Sequence, residues 1–544
     1  MSGAGIITID IGTTSMRAIL FDTSGINKST SQMPNQPLYY PDGRVEQDAD
    51  SWAGILTRVL ADCAQAALSF GIGVEALSLT SQRSSVIPLA KDGRPLHPAI
   101  MWQDTRTQAL SVSMREASPE VFRRSGLQIS PVFSAIKMRW FRERMPELYS
   151  RTWKMAGIQD YVLGLLTGNF VTDRCLASRT NLFNLHSLEW DPALIELFGI
   201  DARMLCDLVD QGSVCGHLLP SLASATGLPA GLPVVSAGGD QQCAALGLGL
   251  LSADRIVANT GTGSYIIGHS DRPVFDRERR IFCNVSAMPG AYILEAGTLT
   301  SGTVYKWFAD NFYGFPDEAQ GGEGAESSVR GASGREARVG GRDSAGGSQV
   351  VASPFAAVNS DAESAPPGAN GLILVPHFKG SGAPHWNPDS RGLFYNLTLS
   401  STRKDMARAV LEGIVAEMAE NIDLLESLAG AIGMVRVSGG LTRLGLFNQI
   451  QADMYGRLVI RPAETEATAL GAWISAAVCS GLYSSYAEAY TAAEASAEAA
   501  AAPAGQKETE YEPSPENAPV YARLRKQKSR LYAALDEGGI FGMD

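Results

Sequence analysis

Two stretches far apart in this chain repeat one device. Ile6-Ile7-Thr8-Ile9-Asp10 runs into Ile11-Gly12-Thr13-Thr14-Ser15 and leaves through Arg17-Ala18-Ile19-Leu20-Phe21. Near the middle, Arg255-Ile256-Val257-Ala258-Asn259 runs into Thr260-Gly261-Thr262-Gly263-Ser264 and leaves through Tyr265-Ile266-Ile267-Gly268. In both, β-branched residues flank a short turn of Gly, Thr and Ser, which is the pattern of a hairpin. A single such turn constrains little, but a recurring one predicts two related domains. The expected division is 1–250 and 254–480, followed by a helical C-terminal tail over 481–544.

Strands and helices alternate between the two copies. Residues 74–79 read as a buried strand, and Val234-Val235-Ser236 as another that stops at Ala237-Gly238-Gly239-Asp240. Met406, Val410, Ile414, Met418 and Ile422 recur at helical spacing, with Thr402 placed to cap that helix. Val435-Arg436-Val437 is a strand ending at Ser438-Gly439-Gly440. This alternation implies an α/β chain whose sheets are covered by helices. Residues 316–348 are rich in Gly, Ser, Ala, Glu and Arg without apolar period, as a surface insertion is. The Ala/Glu-rich run over 487–502 reads as a helix stopped by Pro503, and residues 513–535 as a turn and a terminal helix.

Composition excludes several classes. A net charge of −12 opposes a nucleic-acid binder and adhesion to an anionic membrane. Seven widely spaced cysteines without a C-x-x-C pair read as reduced thiols of a cytoplasmic protein. Six histidines form no Cys/His cluster, so no zinc site is expected. No signal peptide and no apolar run of about 18 residues is expected to address or span a membrane. No lysine follows a glycine, which removes the P-loop, and Gly71-Ile72-Gly73 precedes its strand instead of following it, which weakens a dinucleotide fingerprint.

The remaining motifs suit phosphoryl chemistry. Gly12 lets backbone amides approach a phosphate, Thr13, Thr14 and Ser15 add hydroxyls, and Arg17 adds charge. Asp10, at the strand end, can hold Mg2+ through water. Gly261 and Thr262 offer a second cradle, so that two facing turns would clamp a polyphosphate such as that of ATP. Gly439 and Gly440 leave room for a flat ring against the backbone. Asp240 can accept the proton of an alcohol during transfer, with Gln241 orienting the hydroxyl. Gln82 and Arg83, with Trp102 as an apolar wall, suit a polyol or sugar. Each motif taken singly has an ordinary structural account: a hairpin turn, a β-to-α turn, a helix N-cap, a core tryptophan.

Taken in order, the motifs resemble the FGGY carbohydrate kinase family, closest to its glycerol kinase-like subgroup. The likeness runs from Ile6 to Ser15 through Ile158-Gln-Asp-Tyr161 and Ala177-Ser-Arg-Thr180. It continues through Gly239-Asp-Gln-Gln242, Asn259-Thr-Gly-Thr-Gly263, Gly382-Ala-Pro-His-Trp386 and Ser438-Gly-Gly-Leu-Thr442 to Glu466-Ala-Thr-Ala-Leu-Gly-Ala472. The resemblance implies two actin/hexokinase-like (ribonuclease H-like) ATPase domains around a cleft. It implies ATP and Mg2+ as cofactors, a small polyol or sugar as partner, and a homodimer as a candidate assembly. It also implies that Arg83, Trp102, Asp240, Gln241 and Tyr265 line the acceptor pocket.

Two departures bear on the acceptor. The resemblance places a glutamate after the arginine, where this chain has Ser84, and a tyrosine where it has Val132. Both family residues hydrogen-bond the acceptor, so their loss predicts a roomier pocket and a larger or different polyol or ketose, with glycerol kept among the leading candidates. Two further readings stay open on sequence alone: an ATP-dependent conformational switch of the same fold, which needs no sugar pocket, and a ligand-binding pseudokinase, which needs no base.

Overall fold

This computed structural model describes residues 3–314, 354–463, 466–501 and 508–541; the insertion expected over 316–348 lies outside them. Its frame is a pair of mixed sheets. The first contains β1 (Gly3–Ile11), β2 (Ser15–Asp22), β3 (Asn27–Pro34), β4 (Ile72–Ser81), β5 (Ser213–His217) and β6 (Pro233–Gly239). The second contains β7 (Arg255–Thr260), β8 (Ser264–Ser270), β9 (Phe282–Val285), β10 (Tyr292–Thr298), β11 (Met434–Gly439), β12 (Leu458–Arg461) and β13 (Thr509–Tyr511).

The repeat read in the sequence is a repeat of topology. The first sheet runs β3-β2-β1-β4-β6-β5 and the second runs β9-β10-β8-β7-β11-β12-β13. In each, an antiparallel meander (β1, β2, β3 or β7, β8, β10) places its first strand at the sheet centre. That strand pairs in parallel on its other side, β1 with β4 and β7 with β11. A further parallel strand follows, β6 or β12, and then an antiparallel edge, β5 or β13. The central strand β1 is buried from Gly5 to Ile11, whereas β3 alternates half-buried and exposed residues, as a flanking edge strand does.

The helices include α1 (Trp52–Phe70), α2 (Ser134–Arg144), α3 (Asp240–Gly247), α4 (Gly302–Phe312), α5 (Arg403–Ala429), α6 (Gly445–Tyr455), α7 (Ala467–Cys479), α8 (Tyr486–Ala501) and α9 (Ala518–Glu537). Thr402 caps α5 in a capping box with Asp405. The helices α3 and α7 interlock the two halves; Cys243 and Leu246 of α3 also pack with Val235 and Ala237 of the first sheet. Ala244, Ala245 and Leu248, in and just after α3, pack with Val257, Ile267 and Ile293 of the second sheet. Ala469, Leu470 and Trp473 of α7 pack with Ile6, Ile19 and Phe21 of the first. Where they cross, a Cβ on Gly471 would lie 1.9 Å from the Cys243 carbonyl oxygen, and one on Gly247 2.0 Å from that of Ala467. Only glycine permits this backbone-to-backbone contact.

The tail is not helical throughout. It also donates β13 to the edge of the second sheet, where Ile460 pairs with Glu510. Three residues without apolar alternation carry no strand signal, so the sequence could not announce it. Among the described residues no helix is long and apolar enough to cross a membrane. All seven cysteines are free.

Candidate active site

Strand register brings the motifs to one edge of each sheet. Ile11 is opposite Ser81 and Ser81 is opposite Gly239, so β1, β4 and β6 end side by side. Asp10 and the 12–14 turn, then Gln82 and Arg83, then Asp240 at the start of α3, emerge there. In the second sheet Thr260 is opposite Gly439, which sets the 261–263 turn beside Gly439 and Gly440. Carboxyl ends of parallel strands are the usual ligand edge of an α/β sheet. Gly439 has φ 101°, and a Cβ there would meet the Thr260 carbonyl oxygen at 2.2 Å. Gly440 faces open space, Gly261 and Thr262 are exposed, and α4 begins on their turn through Gly302 N–H to Gly261 O at 3.0 Å.

The first turn is held from behind by side chains. Gly12 N–H closes on Ser15 O at 3.0 Å, and Gln47 donates to Thr13 O at 2.6 Å. Thr13 Oγ1 donates to Gln82 Oε1 at 3.1 Å and accepts from Trp102 Nε1 at 3.2 Å. Gln82 Nε2 donates to Gly12 O and Gln47 Oε1, each at 3.3 Å. The amide of Gln82, expected to meet the acceptor, is therefore engaged with the turn, and Trp102, expected to wall the acceptor, is tied to the turn as well. Thr14 is exposed and Ser15 half-buried beside it.

Arg17 sits differently from the expectation of a free phosphate ligand. Its guanidinium bridges Asp10 and, at 2.6 Å, Glu466 at the head of α7. Asp10 is almost fully buried. Among the described residues no group of three or more His, Cys, Asp or Glu could hold a metal ion, and Asp10 is a carboxylate beside the 12–14 turn. That donor set suits Mg2+ carried largely by nucleotide phosphates and water.

Around Asp240 a charged cluster spans both sheets. Arg83 Nε lies 3.5 Å from Asp240 Oδ1, while Arg83 Nη1 donates to Glu295 Oε2 at 2.7 Å and to Gln242 Oε1 at 3.2 Å. Glu295 comes from β10 and also faces Arg179 at 3.4 Å. Arg179 lies over the Phe133 ring at 5.0 Å and donates to Asn284 at 3.2 Å. Burial lifts the Asp240 carboxyl to about 6; Arg83 opposes that rise, and the Asp10 and Glu295 charges add to it. Burial alone would also raise Glu295, but Arg179 and Arg83 hold it at about 2. Burial, then the Glu295 charge, raises the Tyr265 phenol, which belongs to the same cluster. Gln241 N–H donates to Asp240 Oδ1 at 2.7 Å, and its own Oε1 is buried without a protein partner.

Arg179 and Glu295 were not singled out as site residues by sequence reasoning. Glu295 did carry a signal, as the lone charge in Ala291-Tyr-Ile-Leu-Glu-Ala-Gly297. Beyond Gly440, a cavity of about 160 Å³ is bounded by Asn359, Glu363, Leu411, Arg443 and Leu444.

Residues 5–247 match the N-terminal domain of the FGGY family of carbohydrate kinases, and residues 256–480 match the C-terminal domain of that family. The chain is 34% identical over 491 residues to a glycerol kinase of Alkalilimnicola ehrlichii, covering 88% of this chain and 90% of that protein. It is 29% identical over 489 residues to a gluconokinase of Bacillus subtilis, covering 88% of each. Its fold is similar to that of a xylulose kinase from Lactobacillus acidophilus, with a TM-score of 0.84, 23% identity and coverage of 98% of each chain. This chain belongs to the FGGY family of carbohydrate kinases.

Proposed function

We propose that this chain transfers the γ-phosphoryl group of ATP to a hydroxyl of a polyol, ketose or related sugar larger than glycerol, with Asp240 as the general base. The observation that carries this is the position of Asp240. It is a carboxylate at the first sheet's ligand edge, lifted by burial to about 6 and set 3.5 Å from Arg83. A base with that value is ionised at neutral pH and still basic enough to take an alcohol proton as the phosphoryl group leaves.

The geometry supports the following roles. The 12–15 and 261–262 turns would hold the phosphates, with Asp10 supporting Mg2+, which when bound neutralises phosphate charge. Gly439 and Gly440 would lie against the nucleoside, and the cavity edged by Leu411 and Leu444 is sized for its base. Arg83, Tyr265, Gln241 and the Trp102 wall would fix the acceptor. Arg179 and Glu295 orient Arg83. Ser84 and Val132 favour an acceptor with more carbons than glycerol. Closure of the two halves on α3 and α7 would exclude water and align the hydroxyl with ATP.

The test is ADP release measured with glycerol, erythritol, xylulose, ribulose, arabinitol and gluconate in turn. Acceptor-stimulated release with a longer acceptor preferred supports the proposal. A wide margin for glycerol in kcat/KM removes the acceptor part. Acceptor-independent release makes the chain a switch, and no release makes it a pseudokinase.

A further inference from the structure

Lys137, on α2, is fully buried, yet among the described residues its ammonium bonds no carboxylate. Nζ donates to backbone carbonyl oxygens only: Val132 at 2.5 Å, Pro131 at 2.7 Å and Ser84 at 3.2 Å, with Phe133 at 3.4 Å. Burial draws the amine down to about 7; Asp104 favours the ammonium and Arg106 opposes it. Asp104 itself is engaged by Arg106 and by Val45 N–H. A buried amine without a counter-charge is disfavoured, so this position is held against the tendency of the fold.

What the ammonium joins is specific. Ser84 follows Arg83 and has φ 67°, a left-handed conformation unfavourable for a non-glycine residue. Val132 lies in the loop that leads into α2. These are the two positions at which the sequence departs from the pattern it resembles for acceptor binding. Their carbonyls belong to segments distant in sequence, and one ammonium holds both. The next link leads back to the base: Phe133 lies under Arg179, Arg179 faces Glu295, and Glu295 bonds Arg83. Ser84 Oγ also donates to Arg179 O at 3.3 Å.

We infer that Lys137 is a positioning residue of the acceptor site: by tying the Ser84 and Val132 carbonyls to one buried point, it sets acceptor affinity and selectivity without touching the acceptor. This rests on the proposed acceptor site. The Nζ donors shared among four carbonyls hold the two segments together, and a methionine in that place has no donor to do so.

The experiment is steady-state kinetics of the full chain carrying Lys137→Met, with ATP and with the best and second-best acceptors of the panel. The expected result is a KM for the acceptor raised about tenfold or more, because a displacement near 1 Å at a binding wall is felt strongly. The KM for ATP stays within about twofold, and the preference between the two acceptors narrows. Unchanged acceptor KM and preference, with only a lower Tm, would overturn the inference and make Lys137 merely structural. If Lys137→Met does not fold, Lys137→Gln, which keeps an amide donor, is measured instead, with the same split expected and the same result overturning it. Failure of the acceptor-site proposal is distinguishable, because then the unaltered chain shows no acceptor-stimulated ADP release at all.

Discussion

Arg83 Nη1 and Glu295 Oε2 meet at 2.7 Å across the gap between the two sheets, with Arg83 contributed by the end of β4 and Glu295 by β10. The pair is nearly buried, and its cation also faces Asp240. Buried pairs of this kind are weak devices for stability but effective at fixing geometry and tuning neighbouring charges. Here the neighbour is the proposed base.

The first prediction concerns pH. Asp240 accepts a proton only when ionised, and its carboxyl is lifted to about 6 by burial. kcat should therefore fall tenfold per pH unit below about 6 and be flat above about 7. Arg83→Met removes the opposing cation and should move the inflection upward. Glu295→Gln removes a charge that raises the carboxyl and should move it downward. Profiles of kcat between pH 5 and 9 check all three, and shifts of the same sign in both variants would contradict the assignment.

A stability consequence follows from the same group. Its folded value lies above the ordinary 3.8, so the folded state loses stability as pH rises from about 4 to about 6 and does not regain it above. Asp240→Asn should raise Tm relative to the native chain at about pH 7.5 and leave it unchanged near pH 4. Thermal melts at the two pH values check this.

Trp102 ties the segment proposed to wall the acceptor to the 12–14 turn proposed to hold phosphate, through Thr13 Oγ1. Trp102→Phe keeps the apolar face and removes that hydrogen bond, a loss of about 1 kcal/mol. Both ATP and acceptor KM should rise about fivefold. A change confined to the acceptor would mean that the tie is unimportant for the turn.

The crossing of α3 and α7 leaves no room at Gly471. Gly471→Ala should lower stability by about 3 kcal/mol. The urea midpoint checks this, and a midpoint unchanged from the native chain would show that the helices separate easily.

The hairpin turns and the ends of β4, β6 and β11 were legible because apolar runs stop at Gly, Thr, Ser and Asp, and such stops are local. Thr402 was legible for the same reason. What decides the site is the register between distant strands, and no local pattern encodes that. Gln82 shows the difference: its side chain suits a sugar hydroxyl, but the pairing of Ile11 with Ser81 turns it toward Thr13 and Gly12. Arg17 likewise meets Asp10 and Glu466, a partner far along the chain. The interlock of α3 and α7 was illegible, since helical period says which face is apolar but not which sheet covers it. Lys137 offered no sequence cue either, because its partners are carbonyls, which every residue carries.

The most direct measurement is phosphoryl transfer by Asp240→Asn with the best acceptor of the panel, alongside ATP binding by the same variant. The asparagine keeps the shape and cannot take the proton. The account predicts that transfer is lost by a factor of about 10³ or more while the Kd for ATP stays within about twofold. Transfer at a rate near that of the native chain would contradict it.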